Sequence, residues 1–235
     1  VSRMIYGTQF GDKHSTKDWG VYPSIRPEIG LPETNTNYVE IPYSNVTLDF
    51  TEVLTGFPTY RNREITWKFL YIGKREDWSN KYSEIARDVH GKRLKIIMDE
   101  DPSYYYMGRC EMESWESDRL SSTITIKATC EPFKYELKSS LEDWLWDPFD
   151  FDTDVAREYK DLEIDGTYEL EIFAADMPES PEFIVAGSVT VEIYGKTYSL
   201  PEGRSTISGL TITRDTTIIF AGKGTVSVDY KGGHL

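Results

Sequence analysis

The sequence predicts a mainly β protein of two domains, with a single amphipathic helix in the first. Three observations predict it. Ile65, Trp67, Phe69 and Tyr71 alternate with Glu64, Thr66 and Lys68, the period of a half-buried strand, and similar blocks recur along the chain. One stretch alone, about Asp77 to His90, carries an apolar stripe at helical spacing. The composition then shifts sharply to acid after Lys138.

The bulk numbers exclude several function classes. Aromatic residues make up 14% of the 235 positions, with 16 tyrosines, which favours sheet and contact surface over a helical bundle. A net charge of −14 argues against a nucleic-acid footprint, because phosphate binding needs a basic face. Two cysteines suit neither a disulfide framework nor a four-ligand zinc site. No segment approaches the ~20 apolar residues of a membrane helix. No charged-then-apolar leader opens the chain. The expectation is a soluble protein made without secretion, with no membrane or nucleic-acid partner, no metal and no cofactor.

In chain order, Gly7 to Gly20 holds His14, Ser15 and Asp18. A hydrolase triad converges from distant parts of a fold, and no nucleophile-elbow glycines surround Ser15. A polar turn leading into a strand at Trp19–Ile25 is the expectation. Arg26 to Glu33, with two prolines and a glycine, reads as a loop or extended arm. Leu48 and Phe50 begin a further strand pattern, and Thr55 to Thr59 supplies a turn before Tyr60–Tyr71. In the helix, Trp78, Tyr82, Ile85, Ala86 and Val89 form the stripe. Asp77 is expected to cap its start and Gly91 to follow its end in the left-handed conformation. His90 suits the negative end of the helix dipole and has no second metal ligand at helical spacing.

Arg93–Met98 reads as a strand, ended by Asp99, Glu100 and Asp101. Neighbouring acids in one turn give neither the separated pair of a glycosidase nor calcium-loop spacing. A solvated turn is expected. From Arg109 to Glu131 the pattern predicts a hairpin turning at Ser117–Ser121. Its register would set Cys110 opposite Cys130, Met112 opposite Ala128 and Ser114 opposite Ile126, with both thiols free.

The succession of motifs resembles the distal tail proteins of siphovirus-type bacteriophages. The resemblance rests on Gly7, Phe10-Gly11, His14-Ser15, Asp18-Trp19-Gly20, Asn37 to Pro42, Leu48 to Glu52 and Thr55-Gly56. It continues through Tyr60, Asn62-Arg63, Trp78, His90-Gly91-Lys92, Asp101-Pro102, Tyr105-Tyr106, Gly108-Arg109 and Pro132-Phe133-Lys134. One departure is Tyr43 to Val46, where a glycine-containing turn is expected. The resemblance implies an N-terminal β-sandwich with one α-helix and an extended arm, six copies of which close into a ring. It implies a structural hub between the tail tube and the host-adsorption apparatus, located at the virion tail tip and synthesised in the bacterial host cytoplasm. The implied partners are further copies of the chain, the tail tube protein, a tail-associated hub or lysin protein and receptor-binding proteins. No catalytic residue is carried over.

From Ser139 to Glu182 the chain holds 15 acids against Arg157 and Lys160. Trp144 to Phe151 reads as an anchored linker, and Asp150, Asp152 and Asp154 alternate without the glycine and glutamate of a calcium loop. Strand patterns follow at Tyr168–Phe173, Phe183–Tyr194, Lys196–Leu200, Thr206–Ile212, Thr216–Ala221 and Thr225–Tyr230. Turn signals at Asp165-Gly166, Tyr194-Gly195, Glu202-Gly203, Ser208-Gly209 and Gly222 to Gly224 separate them. Close-set strands predict a second β-sandwich, which the resemblance makes galectin-like or carbohydrate-binding-module-like. The expected division is 1–138 for the ring-forming domain, 139–155 for the acidic and aromatic linker and 156–235 for the second domain. The rival function is a carbohydrate-binding module that recognises a host cell-wall polysaccharide. Its platform would draw on Tyr194, Tyr198 or Phe220, with most of these expected in the core. A glycosidase finds no separated carboxylate pair.

Overall fold

The computed structural model describes residues 6–117, 122–137 and 159–235. They fall into two compact units, one ending at Lys134 and one spanning Tyr135–His234. The acidic linker with Trp144 to Phe151 and Asp150, Asp152 and Asp154, and the hairpin tip at 118–121, lie outside the described residues.

The first unit runs β1 (Thr8–Phe10), β2 (Lys13–His14), β3 (Val21–Pro23), β4 (Glu28–Ile29), β5 (Tyr38–Glu40), β6 (Thr47–Asp49), β7 (Arg63–Tyr71), α1 (Trp78–Val89), β8 (Arg93–Met98), β9 (Asp101–Ser117) and β10 (Ser122–Cys130). The strand order is β2-β1-β8-β9-β10-β7-β3, antiparallel where adjacent. Phe10 of β1 meets Trp67 of β7 edge-on at 5.1 Å, although three strands separate β1 from β7. Strands stand about 4.8 Å apart, so that contact requires the sheet to curl. Ile65, Trp67 and Phe69 face the enclosed core as their alternation predicts, with Ile85 and Val89 of α1.

Around α1, Gly91 takes a φ of 76°, as expected after a helix end. The Asp77 cap does not form. A 3-10 turn, Arg75–Asp77, runs directly into α1, so Asp77 is already helical and its side chain makes no capping bond. The β9–β10 register also differs from expectation. Cys110 faces Ala128 and Cys130 faces Gly108, with Met112 opposite Ile126 and a bulge between Thr125 and Ile126. A β-carbon at Gly108 would collide with the Cys130 sulfur, so the glycine is what admits the thiol there. Both cysteines are free and buried.

After β11 (Lys134–Glu136), whose first residue closes the first unit, the second unit comprises β12 (Leu162–Ile172), β13 (Glu182–Ile193), β14 (Lys196–Leu200), β15 (Gly203–Thr206), β16 (Thr216–Asp229) and β17 (Gly233–His234). Its sheet has the order β12-β16-β13-β14, with β15 also on β13. Three of the glycines expected to separate strands, Gly166, Gly222 and Gly224, lie inside them. Gly166 pairs with Gly222, and Gly187 with Gly224, so they form a row across β12, β16 and β13. All four have positive φ, from 100° to 157°. By alternation they fall in the core-side rows, between Ile164 and Leu170, Val185 and Val189, and Phe220 and Val226, yet Gly166, Gly187 and Gly222 are exposed. Both halves of each strand enter one core. The row is therefore a crease along which the sheet curls over itself. Thr216–Ala221 and Thr225–Tyr230 are one strand, and Thr206–Ile212 is not a strand. Tyr194 and Gly195, with φ of 51° and 72°, make the two-residue turn between β13 and β14.

Candidate functional site

His14, Ser15 and Asp18 build a locked corner and no nucleophile. The His14 ring is buried, and Gly7 leaves it room, because a β-carbon there would collide with it. Its Nδ1 accepts from the backbone N–H groups of Thr16 at 3.2 Å and Lys17 at 3.3 Å. Nε2 therefore carries the proton and donates to Asp99 Oδ1 at 3.1 Å. Asp99 Oδ2 accepts from the Gly7 N–H at 2.7 Å. Ser15 Oγ accepts from the Thr8 N–H, and Asp18 Oδ2 from the His14 N–H. Trp19 donates its indole N–H to Asp88 of α1 at 2.9 Å and stacks on Phe10. His14 Nδ1, Ser15 Oγ and Asp18 Oδ2 thus each accept from backbone N–H groups, and His14 Nε2 is held by Asp99.

The acidic run is the exposed turn expected at Asp99 and Glu100, but its carboxylates are engaged. Asp99 clasps the corner, Glu100 takes the Arg26 guanidinium and Asp101 takes Lys134 at 2.7 Å. Burial opposes the Asp99 charge, but the bonds from His14 and Gly7 outweigh it and hold this carboxyl below the usual range. A groove lined by Tyr6, Tyr22, Pro23, Ile25, Pro27 and Met98 has the Arg26–Glu100 pair beside it, and those charges satisfy each other. His90 accepts the Met112 N–H through Nδ1 at 3.1 Å, tying the end of α1 to β9. No group of three or more His, Cys, Asp or Glu among the described residues is placed to hold a metal. No described helix is long and apolar enough to cross a membrane.

The feature without an internal purpose is the arm. Between Thr34 and Tyr60, which meet in a bridge at its base, β5 and β6 pair only with each other. Leu48 and Phe50 do not begin a half-buried strand. Tyr38, Val39, Leu48, Phe50 and Leu54 are all exposed, Leu54 at 97%. A lone two-stranded hairpin is marginal in water, and clustered exposed apolar residues mark contact surfaces. The arm carries Glu40, Asp49 and Glu52 and no Lys or Arg. At its tip Tyr43 adopts a φ of 63°, the conformation that glycine takes without strain. A tyrosine thus stands in the left-handed conformation within the stretch where a glycine-containing turn is expected.

In the second unit, Phe220 is fully buried, Tyr198 packs against the core and Tyr194 is exposed. The Arg214 guanidinium lies 5.8 Å from the Tyr194 ring centre. These three aromatics do not share a platform.

The sequence matches no family model and no curated protein. The fold does find a likeness, in the crystal structure of SPP1 Dit (gp 19.1), described as a paradigm of hub adsorption apparatus in Gram-positive infecting phages. The chain has the fold of that distal tail protein. The TM-score is 0.60 at 12% identity, over 97% of this chain and 99% of the other. The Dit fold therefore spans both units, including the curled N-terminal sheet with its one helix and the creased second sheet. Of the residues weighed for catalysis in the sequence, His14 and Asp99 meet, and their bond holds the corner together. The Asp99 partnership with His14, 85 residues away, had no local signal in the sequence.

Proposed function

We propose that this chain is the structural hub of a phage tail tip or baseplate, a hexameric ring that joins the tail tube to the host-adsorption apparatus. The observation that carries the reading is the Dit fold over nearly the full length of both chains. The projecting apolar arm supports it, because a closed ring needs a heterologous contact that each copy offers and receives. On this reading the protein resides in the virion tail tip and is no enzyme. Its partners are further copies of itself, the tail tube protein, a tail-associated hub or lysin protein and receptor-binding proteins. The carbohydrate-binding reading has less support, since Phe220 is in the core and Tyr198 packs against it. Light scattering and negative-stain microscopy at high protein concentration test the proposal. Six-fold rings are expected, and monomers alone at every concentration would overturn it.

A further inference from the structure

Arg63 opens β7 on the core-facing side, in line with Ile65, Trp67 and Phe69. It is 2% exposed. Its Nε and Nη2 are buried and meet no hydrogen-bond acceptor. The carboxylates nearest in sequence or pairing are taken by other cations: Glu33 by Arg61, Glu64 by Lys127 and Glu131 by Arg93. The guanidinium carbon lies 5.5 Å from the centre of the Tyr106 ring, and Cys130 stands opposite in the ladder.

Neither neighbour supplies a negative charge. Burial raises the Tyr106 hydroxyl above its ordinary value and pushes the Cys130 thiol up to about 12, so both are neutral near pH 7. The Tyr106 side chain hydrogen-bonds the guanidinium and its ring face adds a partial attraction, but neither balances the charge nor reaches Nε and Nη2. An isolated buried guanidinium is costly, and a water molecule would satisfy its N–H groups without balancing its charge. We propose that Arg63 binds a small inorganic anion of halide size through its Nε and Nη2 N–H groups, beside the Tyr106 ring. The near-complete burial selects against a peptide carboxylate, which would have to bring a chain with it.

Bromide is the probe. Crystals grown in bromide should show an anomalous peak within hydrogen-bond reach of Arg63 Nε and Nη2. The thermal midpoint should rise with chloride or bromide at fixed ionic strength, balanced with gluconate. Above the dissociation constant, each tenfold rise in halide should raise the folding constant about tenfold. Arg63→Met should abolish that dependence. Ordered water alone at Arg63, a wild-type midpoint indifferent to halide, or an Arg63→Met protein that keeps the dependence would each overturn the proposal. The two wild-type measurements decide the matter even if Arg63→Met does not fold.

Discussion

His14 Nε2 and Asp99 Oδ1, 3.1 Å apart, join the first hairpin to the end of β8. The His14 ring cannot turn to serve another partner, because its Nδ1 is held by the Thr16 and Lys17 N–H groups. Asp99→Asn should set an amide N–H against the His14 N–H or forfeit the Gly7 bond. A charged hydrogen bond contributes roughly 1.5–3 kcal/mol, and partial exposure of Asp99 reduces that to about 1 kcal/mol. Urea unfolding at pH 7 checks it.

The same clasp sets an acid limit. Asp99 is held below its ordinary value of 3.8, so the unfolded chain takes up its proton first as pH falls. The stabilisation is present above that ordinary value and is lost as pH falls through the folded one. Unfolding curves from pH 5 to pH 2.5 should show the wild type losing its advantage over Asp99→Asn. Parallel loss in both proteins would contradict this account.

The creased second sheet makes its own prediction. Gly222 has a φ of 135°, and a β-carbon there would collide with the Ser188 carbonyl oxygen; Gly166 has a φ of 100° and open space. Gly222→Ala should cost on the order of 3 kcal/mol from strain and collision together. Gly166→Ala should cost about 1 kcal/mol from strain alone. Thermal melts of the two variants compare them directly, and equal losses would remove the crease argument.

These glycines show where the sequence was legible and where it was not. Arg93–Met98 and Lys196–Leu200 appear as strands over the ranges that their patterns predict, and the stripe from Trp78 to Val89 is a helix. Local periodicity is enough for such elements. Gly166 and Gly222 look the same in sequence whether they end a strand or crease it, and only the row formed with Gly187 and Gly224 distinguishes the two. The β9–β10 register depended on a bulge that leaves the alternation of Cys110 and Met112 intact. For Leu48 and Phe50, period-two spacing disclosed a strand but not the missing sheet beneath it.

The thiols are expected to be inert in the native protein. Burial pushes both Cys110 and Cys130 up to about 12, and the thiolate is the reactive form. A thiol reagent at pH 8 should label neither native cysteine and both after denaturation. The folded chain keeps these protons as pH rises past 9, whereas the unfolded chain releases them. Stability should therefore decline there. Rapid native labelling would contradict the burial.

We propose that the domains divide within residues 139–155, and limited proteolysis tests it. The Asp147-Pro148 break and the run of acids motivate the reading. The expected products are an N-terminal fragment that ends in this stretch and a C-terminal fragment that begins in it. First cuts confined to Asp99–Tyr106 would place the boundary elsewhere.

The arm gives the sharpest test of the hub. Val39 and Leu48 are directly opposed across β5 and β6, and both are exposed. Replacing either by glutamate removes no buried contact, so the unfolding midpoint of the isolated chain should stay within about 0.5 kcal/mol of wild type. In a ring, the same glutamate would have to be desolvated against a neighbouring copy without a partner, in an arm that already carries three acids. Losing one such contact at each junction costs several kcal/mol, enough to weaken association more than a hundredfold. Tyr43→Gly serves as the control, because it relaxes the strained tip and should leave the monomer at least as stable. Light scattering and negative-stain microscopy of Val39→Glu and Leu48→Glu should show folded monomers where the wild type forms rings. Intact rings in both glutamate variants would exclude the arm from the ring contact while leaving the hub reading to the wild-type assembly.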